Sequence, residues 1–331
     1  MVRVAINGFG RIGRQVFQAG HADPEIEWVA INDLSEPKVL AYLLKHDSVH
    51  GQRGYDISYT EHSLIVNGRE IRIFAERDPE NLPWKELGVD VVAECTGFYR
   101  DREGAGKHLK AGAKKVLISA PAKSPDITLV KGVNEHEYDG SKHHIVSNAS
   151  CTTNCLAPIV KVLNDNFGVR RGYMVTTHAY TADQKLVDSP HKDLRRGRSA
   201  AVNITPTSSG AAVAVAEVIP QLKGKLNGFA LRVPVPDGSY VVFTCELDKE
   251  ATKERINDLF SKVGNNHLKS VLEYTEDELV SSDIIGNPHS CVFDSAFTDV
   301  IGGNFVTVCA WYDNEWGYSN RMVDMLKHLV R

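Results

Sequence analysis

The chain has 331 residues, 42% hydrophobic and 24% charged, with a formal net charge of −4. That length accommodates two domains with a core each, and the acidic balance argues against non-specific nucleic-acid binding. Six cysteines without regular spacing exclude a disulfide framework, and the best apolar run, 211–219, is far short of a membrane span and broken by Glu217.

Strand-like sequence (Val2 to Ile6) begins directly after Met1, where a secretory leader would lie, so a reducing, cytoplasmic setting without membrane contact is expected. Asn7-Gly8-Phe9-Gly10-Arg11-Ile12-Gly13 follows, and a helix is predicted from Arg11 to Ala19. The pattern G-x-G-x-x-G is weak alone, but between a strand and a helix it is the dinucleotide fingerprint. Gly8 makes the tight turn, Gly10 admits a pyrophosphate and Gly13 lets helix and strand approach closely. Trp28 to Ile31 reads as the second strand. Asp33, twenty residues after Gly13, stands where a carboxylate accepts from an adenosine ribose. Its charge repels a 2′-phosphate, which favours NAD over NADP.

A helix is predicted over Lys38 to Lys45, then a hairpin over Leu64 to Ile71 with Asn67-Gly68 in its turn. Asp90 to Glu94, a helix through Leu109, and Lys115 to Ile118 restore the alternation. Strands alternating with helices imply an α/β fold with a mainly parallel, doubly wound sheet. His143 and His144 are expected on opposite faces of a strand, and the histidines show no metal-ligand spacing, so no metal is expected.

Ser150 is a plausible N-cap for an apolar, helix-periodic run that continues to about Asn166, with Pro158 removing one hydrogen bond inside it. Cys151 then falls in the first turn, where unpaired N–H groups and the helix dipole favour thiolate over thiol. Twenty-seven residues on, His178 ends a stretch of β-formers, so a returning strand could bring an imidazole to the sulfur. Such a pair suggests covalent catalysis on a carbonyl. Cys155, Cys245 and Cys309 read as small buried hydrophobes. Longer strand candidates follow: Gly172 to Thr177, Gly228 to Val233, Ser239 to Leu247 and Phe305 to Trp311. They predict a second, α+β domain with a mainly antiparallel sheet. Tyr318 to Val330 reads as an amphipathic helix. The expected division is a nucleotide-binding domain over 1–149, joined by the final helix at about 315–331, and a catalytic domain over 150–314.

With a dinucleotide fold ahead of Cys151 and His178, the chain resembles phosphorylating glyceraldehyde-3-phosphate dehydrogenase over essentially its whole length. Residues 7–14, 119–121, 147–155, 178–181, 193–196, 231–234 and 311–315 carry the resemblance. It implies a Rossmann NAD-binding domain, Cys151 as nucleophile and His178 as its base. The reaction runs through a hemithioacetal and a thioester that inorganic phosphate cleaves to an acyl phosphate. Arg11, Ile12, Asp33, Arg77, Thr96, Ser119 and Asn314 are implied for NAD, with Asn314 on the nicotinamide carboxamide and Tyr318 packed near the ring. Thr181, Arg196 and Arg232 are implied for the substrate phosphate, and Ser150, Thr152, Ser209 and Gly210 for the attacking phosphate. A cytoplasmic homotetramer acting in glycolysis is the family's usual form.

Ser189-Pro190 replaces the Leu-Pro frequent in NAD-specific members, which leaves some NADP tolerance open. Ser209 stands for a commoner threonine, Val213 for a frequent lysine, and Pro236-Asp237-Gly238 for a less turn-like stretch. Two other readings stand beside this one: erythrose-4-phosphate dehydrogenase, which needs no attacking phosphate, and a non-catalytic binding protein on a nucleotide fold.

Overall fold

The computed structural model describes residues 1–52 and 54–331. The chain divides into two compact units, one of residues 1–129, 136–149 and 319–331, the other of residues 130–135 and 150–318.

In the first unit, β1 (Val2–Asn7) leads into α1 (Arg11–Gly20) and β2 (Ile26–Asn32) into α2 (Pro37–Lys45). β3 (Ile57–Tyr59), β4 (Ser63–Val66), β5 (Arg69–Phe74) and β6 (Val91–Glu94) follow, then α3 (Arg102–Lys110), β7 (Lys115–Ile118), β8 (Ile127–Thr128) and β9 (Ile145–Ser147). The nine strands form one sheet in the order β3-β4-β5-β2-β1-β6-β7-β9-β8. Every neighbour from β5 to β8 pairs in parallel, and only β3 and β4 are antiparallel additions. The β4–β5 hairpin turns on Asn67 and Gly68, whose φ values of 50° and 76° are the left-handed pair that a tight hairpin demands. β1 and β6 are central, so Val4, Ala5, Ile6, Val91 and Val92 are wholly buried and read as unbroken apolar runs. His143 and His144 precede β9 instead of lying within a strand. The His143 and Gly140 carbonyls accept from Lys115 Nζ, and the His144 N–H donates to Asp126, so both residues serve the loop.

The second unit starts with α4 (Cys151–Phe167), followed by β10 (Val169–Ala179), β11 (Thr205–Ser208), α5 (Ala211–Val218), β12 (Leu226–Val233) and β13 (Ser239–Leu247). It closes with α6 (Lys253–Gly264), β14 (Leu272–Thr275), β15 (Cys291–Ile301), β16 (Phe305–Tyr312) and the start of α7 (Trp316–His328). The sheet order is β11-β12-β10-β13-β16-β15-β14, with parallel pairs only at β10–β12 and β14–β15. α4 runs its full 17 residues through Pro158. The proline lies fully inside the apolar core, where tertiary burial outweighs one missing backbone bond. Among the described residues, no helix is long and apolar enough to cross a membrane.

Candidate active site

The turn between β1 and α1 has the shape the fingerprint predicts. Gly8 sits at φ +90°, and a Cβ there would lie 2.7 Å from the Thr96 nitrogen. A Cβ on Gly13 would lie 2.1 Å from the Gly8 carbonyl oxygen, whereas one on Gly10 would meet nothing within 4 Å. The two glycines therefore answer different needs, tight packing at Gly13 and open approach at Gly10. Gly13→Ala is expected to lower the unfolding temperature, at a cost of about 1–3 kcal/mol because backbone must move. Gly10→Ala should leave thermal unfolding unchanged and weaken dinucleotide binding. Scanning calorimetry beside a binding titration separates the two effects.

A cavity of about 470 Å³ opens over this turn, lined by Asn7, Gly8, Gly10, Asp33, Arg77 and Thr96 among others. Leu34 and Phe98 on its wall are 56% and 85% exposed, two bare apolar surfaces suited to a base ring. Asp33 Oδ2 accepts from the Phe9 N–H at 2.8 Å, which braces the glycine turn. Arg11 forms an ion pair with Asp47 at 2.9 Å, so its guanidinium is held from within the unit. The Thr96 hydroxyl donates to Glu94 and accepts from the Phe98 N–H, so the side chain is fixed beside the glycine turn. Ser119 donates its backbone N–H to Glu94 O, and Ile12 occupies the first turn of α1. A cradle without Cβ atoms, a carboxylate at the end of β2 and a helix N-terminus fit NAD.

In the second unit, the Ser150 hydroxyl accepts from the Thr153 N–H at 3.0 Å and starts α4 at Cys151. Ala149 immediately before it has φ +53°, a strained backbone that turns the chain sharply into the helix. Cys151 Sγ lies 3.4 Å from His178 Nε2. The strand end that carries His178 is parallel to β12 in a register that pairs it with Arg232. His178 Nδ1 is 2.7 Å from the Ala179 carbonyl, a contact that orients the ring with Nε2 towards the sulfur. Arg232 Nη1 donates to the same carbonyl at 3.0 Å and stands 2.7 Å from Nδ1.

The expected preference for thiolate is corrected by the surroundings. Burial pushes the Cys151 thiol up, against the pull of Arg232 and of Thr152. Burial also lowers His178 to about 3, reinforced by Arg232 and Arg196. Both groups therefore rest neutral, and the charges have to arise together by proton transfer across the 3.4 Å contact. Two opposite charges in contact in a low-dielectric site offset the desolvation that each alone would suffer.

Arg232 Nε is buried and has no hydrogen-bond partner among the described residues. Arg196 is different: its guanidinium contacts Asp183 at 2.6 Å and Thr207 at 2.9 Å, so it braces the loop that carries Thr181. Ser209 and Gly210 stand at the N-terminus of α5, where the Ser209 hydroxyl accepts from the Ala211 N–H. Thr152 is buried and hydrogen-bonds the Tyr312 hydroxyl at 2.9 Å, so it turns inward. Tyr312 is also 2.9 Å from Thr176 and meets the His178 ring edge-on. The Ser239 hydroxyl accepts from the Ala179 N–H and donates to Asn314 Oδ1 at 2.6 Å, which turns the Asn314 amide nitrogen away from Ser239. Tyr318 is buried. Asp237, in the unusual Pro-Asp-Gly turn, is pushed up by burial and by the Asp313 carboxylate beside it. Tyr312 and Ser239 have no local signal in the sequence, because their partners lie 60 to 160 residues away.

Family comparison adds an independent line. Residues 2–102 match the model for the glyceraldehyde 3-phosphate dehydrogenase NAD binding domain, and residues 150–314 match the corresponding C-terminal domain. The chain is 56% identical over 329 residues to glyceraldehyde-3-phosphate dehydrogenase of Geobacillus stearothermophilus, covering 99% of this chain and 98% of that protein. It is 55% identical to the enzyme of Streptomyces coelicolor, covering 98% and 97%, and 54% identical to glyceraldehyde-3-phosphate dehydrogenase 1 of Bacillus subtilis, covering 100% and 98%.

Proposed function

The chain belongs to the glyceraldehyde-3-phosphate dehydrogenase family, and from that premise we propose that it oxidises and phosphorylates glyceraldehyde 3-phosphate with NAD. The observation that carries this reading is the contact between Cys151 Sγ and His178 Nε2, 3.4 Å apart at the start of a long helix. Cys151 gives its proton to His178 and attacks the aldehyde carbon, and the imidazolium returns that proton to the resulting alkoxide, giving a hemithioacetal. Regenerated as the neutral base, His178 takes the hydroxyl proton of that adduct while its carbon loses hydride. NAD, when bound, supplies the hydride acceptor; Gly8, Gly10, Arg11, Ile12, Gly13, Asp33, Arg77, Thr96, Ser119 and Asn314 are the residues proposed to hold it.

The thioester left on Cys151 is attacked by an oxygen of inorganic phosphate. The carbon–sulfur bond breaks, and the acyl phosphate leaves with the sulfur restored as thiolate. The Cys151 N–H at the helix terminus is placed to stabilise the oxyanion in both tetrahedral stages. Arg232, with its unpaired buried Nε, supports binding of an anionic substrate group. Thr181 and Arg196 complete that proposed site, Arg196 through the loop it braces. Ser150, Ser209 and Gly210 are proposed for the attacking phosphate, with Thr152 holding the helix turn. A homotetramer in the cytoplasm is the assembly and setting we assign, by likeness to the family.

The decisive assay is NADH formation from glyceraldehyde 3-phosphate with and without inorganic phosphate, with NADP in a parallel arm. Sustained turnover only with phosphate is expected, and Asp33 should keep NADP well behind NAD despite Ser189. Equal turnover without phosphate would point instead to the hydrolytic erythrose-4-phosphate type of enzyme. A folded, NAD-binding protein without turnover would point to a binding role.

A further inference from the structure

Glu94, at the end of β6, has a side chain with no solvent exposure. Its Oε2 accepts from Asn7 Nδ2 at 2.6 Å and from His108 Nε2 at 3.1 Å. Its Oε1 accepts from the Thr96 N–H at 2.8 Å and from the Thr96 hydroxyl. The direction of these bonds is forced from their far ends. The Trp84 indole N–H, which can only donate, is 2.9 Å from His108 Nδ1, so the ring's hydrogen must sit on Nε2 and point at Glu94. The Glu76 N–H donates to Asn32 Oδ1 at 2.8 Å, which turns the Asn32 nitrogen to Asn7 Oδ1 at 2.7 Å. Asn7 must then present its own nitrogen to Glu94. With the Thr96 backbone N–H, three donors that cannot reverse converge on two oxygens. Only a side chain that accepts and never donates serves all three, and that is a carboxylate.

Asn7 and Thr96 stand in the wall of the nucleotide cavity, at the ends of the adjacent strands β1 and β6. We infer that Glu94 is a positioning residue for the dinucleotide: its acceptor-only carboxylate holds Asn7 and Thr96, and with them the cavity wall, in the binding geometry. The inference rests on the reading of that cavity as the NAD site. Glu94→Gln tests it without a change of volume, because the introduced NH2 must face at least one donor that cannot turn away.

The full-length chain is titrated with NAD by calorimetry, its kinetics are measured against NAD, and the Trp84 indole N–H is followed by NMR, assigned with Trp84→Phe. A buried donor left unpaired corresponds to a Kd raised about tenfold to a hundredfold. KM for NAD should follow it, with kcat at saturating NAD within about threefold of wild type and the indole resonance displaced. Trp84→Phe frees His108 to take its other tautomer and accept from the glutamine amide. The same Glu94→Gln change should therefore cost several-fold less affinity in that background. Native NAD affinity in Glu94→Gln, or an equal loss in both backgrounds, overturns the inference. If Glu94→Gln alone does not fold, the double variant decides: folding with NAD affinity near that of Trp84→Phe supports the inference, and failure to fold overturns it. A wild-type chain that binds no NAD sinks the underlying reading of the cavity instead.

Discussion

Cys151→Ser is expected to reduce kcat by at least about 10³-fold while NAD affinity and unfolding temperature stay at wild-type values. The substitution changes one atom, sulfur to oxygen, so packing is conserved. Chemistry is not conserved, because a hydroxyl gives up its proton far less readily than a thiol. The neutral imidazole 3.4 Å away, lowered to about 3, is a weak base for so weak an acid. An ester would also yield to phosphate more slowly than a thioester. Burst kinetics with stoichiometric enzyme measure the first step alone. A variant that retains more than a tenth of native turnover would remove Cys151 from the mechanism.

His178→Asn should lower kcat by about 10²- to 10⁴-fold, the usual worth of a general acid–base group. Alkylation of Cys151 by iodoacetamide reads the pair directly. In the native chain the thiol is raised by burial, and the imidazole is the nearby acceptor for its proton. The variant should therefore react more slowly at every pH below the thiol's own, and the two profiles should converge where the thiolate forms without help. Acid stability should move the other way. The unfolded imidazole titrates near its ordinary value of 6.5 and the folded one at about 3, so between those values the unfolded state binds the extra proton. The native chain loses stability as pH falls through that window. His178→Asn lacks the proton site and should unfold at lower pH, visible by circular dichroism. Unchanged alkylation and unchanged acid midpoint together would contradict the pairing.

The features legible in the sequence are those whose causes lie close together in the chain. Gly8, Gly10 and Gly13 need only the strand before them and the helix after, and Asn67-Gly68 dictates its own hairpin turn. Ser150 caps its helix by a bond to Thr153, three residues on. The rest depends on register between distant segments. Arg232 meets His178 because β10 and β12 run parallel, and no local pattern distinguishes that pairing from an antiparallel one. Arg196 reaches Asp183 across a loop, a contact that no local pattern announces. The protonation preference at Cys151 was missed for a physical reason. A helix terminus is visible as a cap and a periodic run, but the burial that opposes it depends on distant strands that pack on α4, among them β10, β13 and β16.

The last helix has a consequence for how the protein is made. Residues 319–331 belong to the first unit, where Lys327 reaches Asp23 at 2.6 Å, Arg331 reaches Glu25 at 3.0 Å and the Leu329 carbonyl accepts from the Tyr138 hydroxyl. Met322 and Leu326 on the same helix are fully buried. The nucleotide-binding half is therefore begun first on the ribosome and finished last. At usual elongation rates the nascent sheet waits roughly ten to thirty seconds for its closing helix, with apolar surface bare meanwhile. The intervening unit is contiguous apart from residues 130–135, and all of it is synthesised before residue 319. Chains that stall or are clipped before residue 319 keep Cys151 and His178 but leave the cofactor half unsealed, a form that chaperones and proteases would recognise by its open apolar seat.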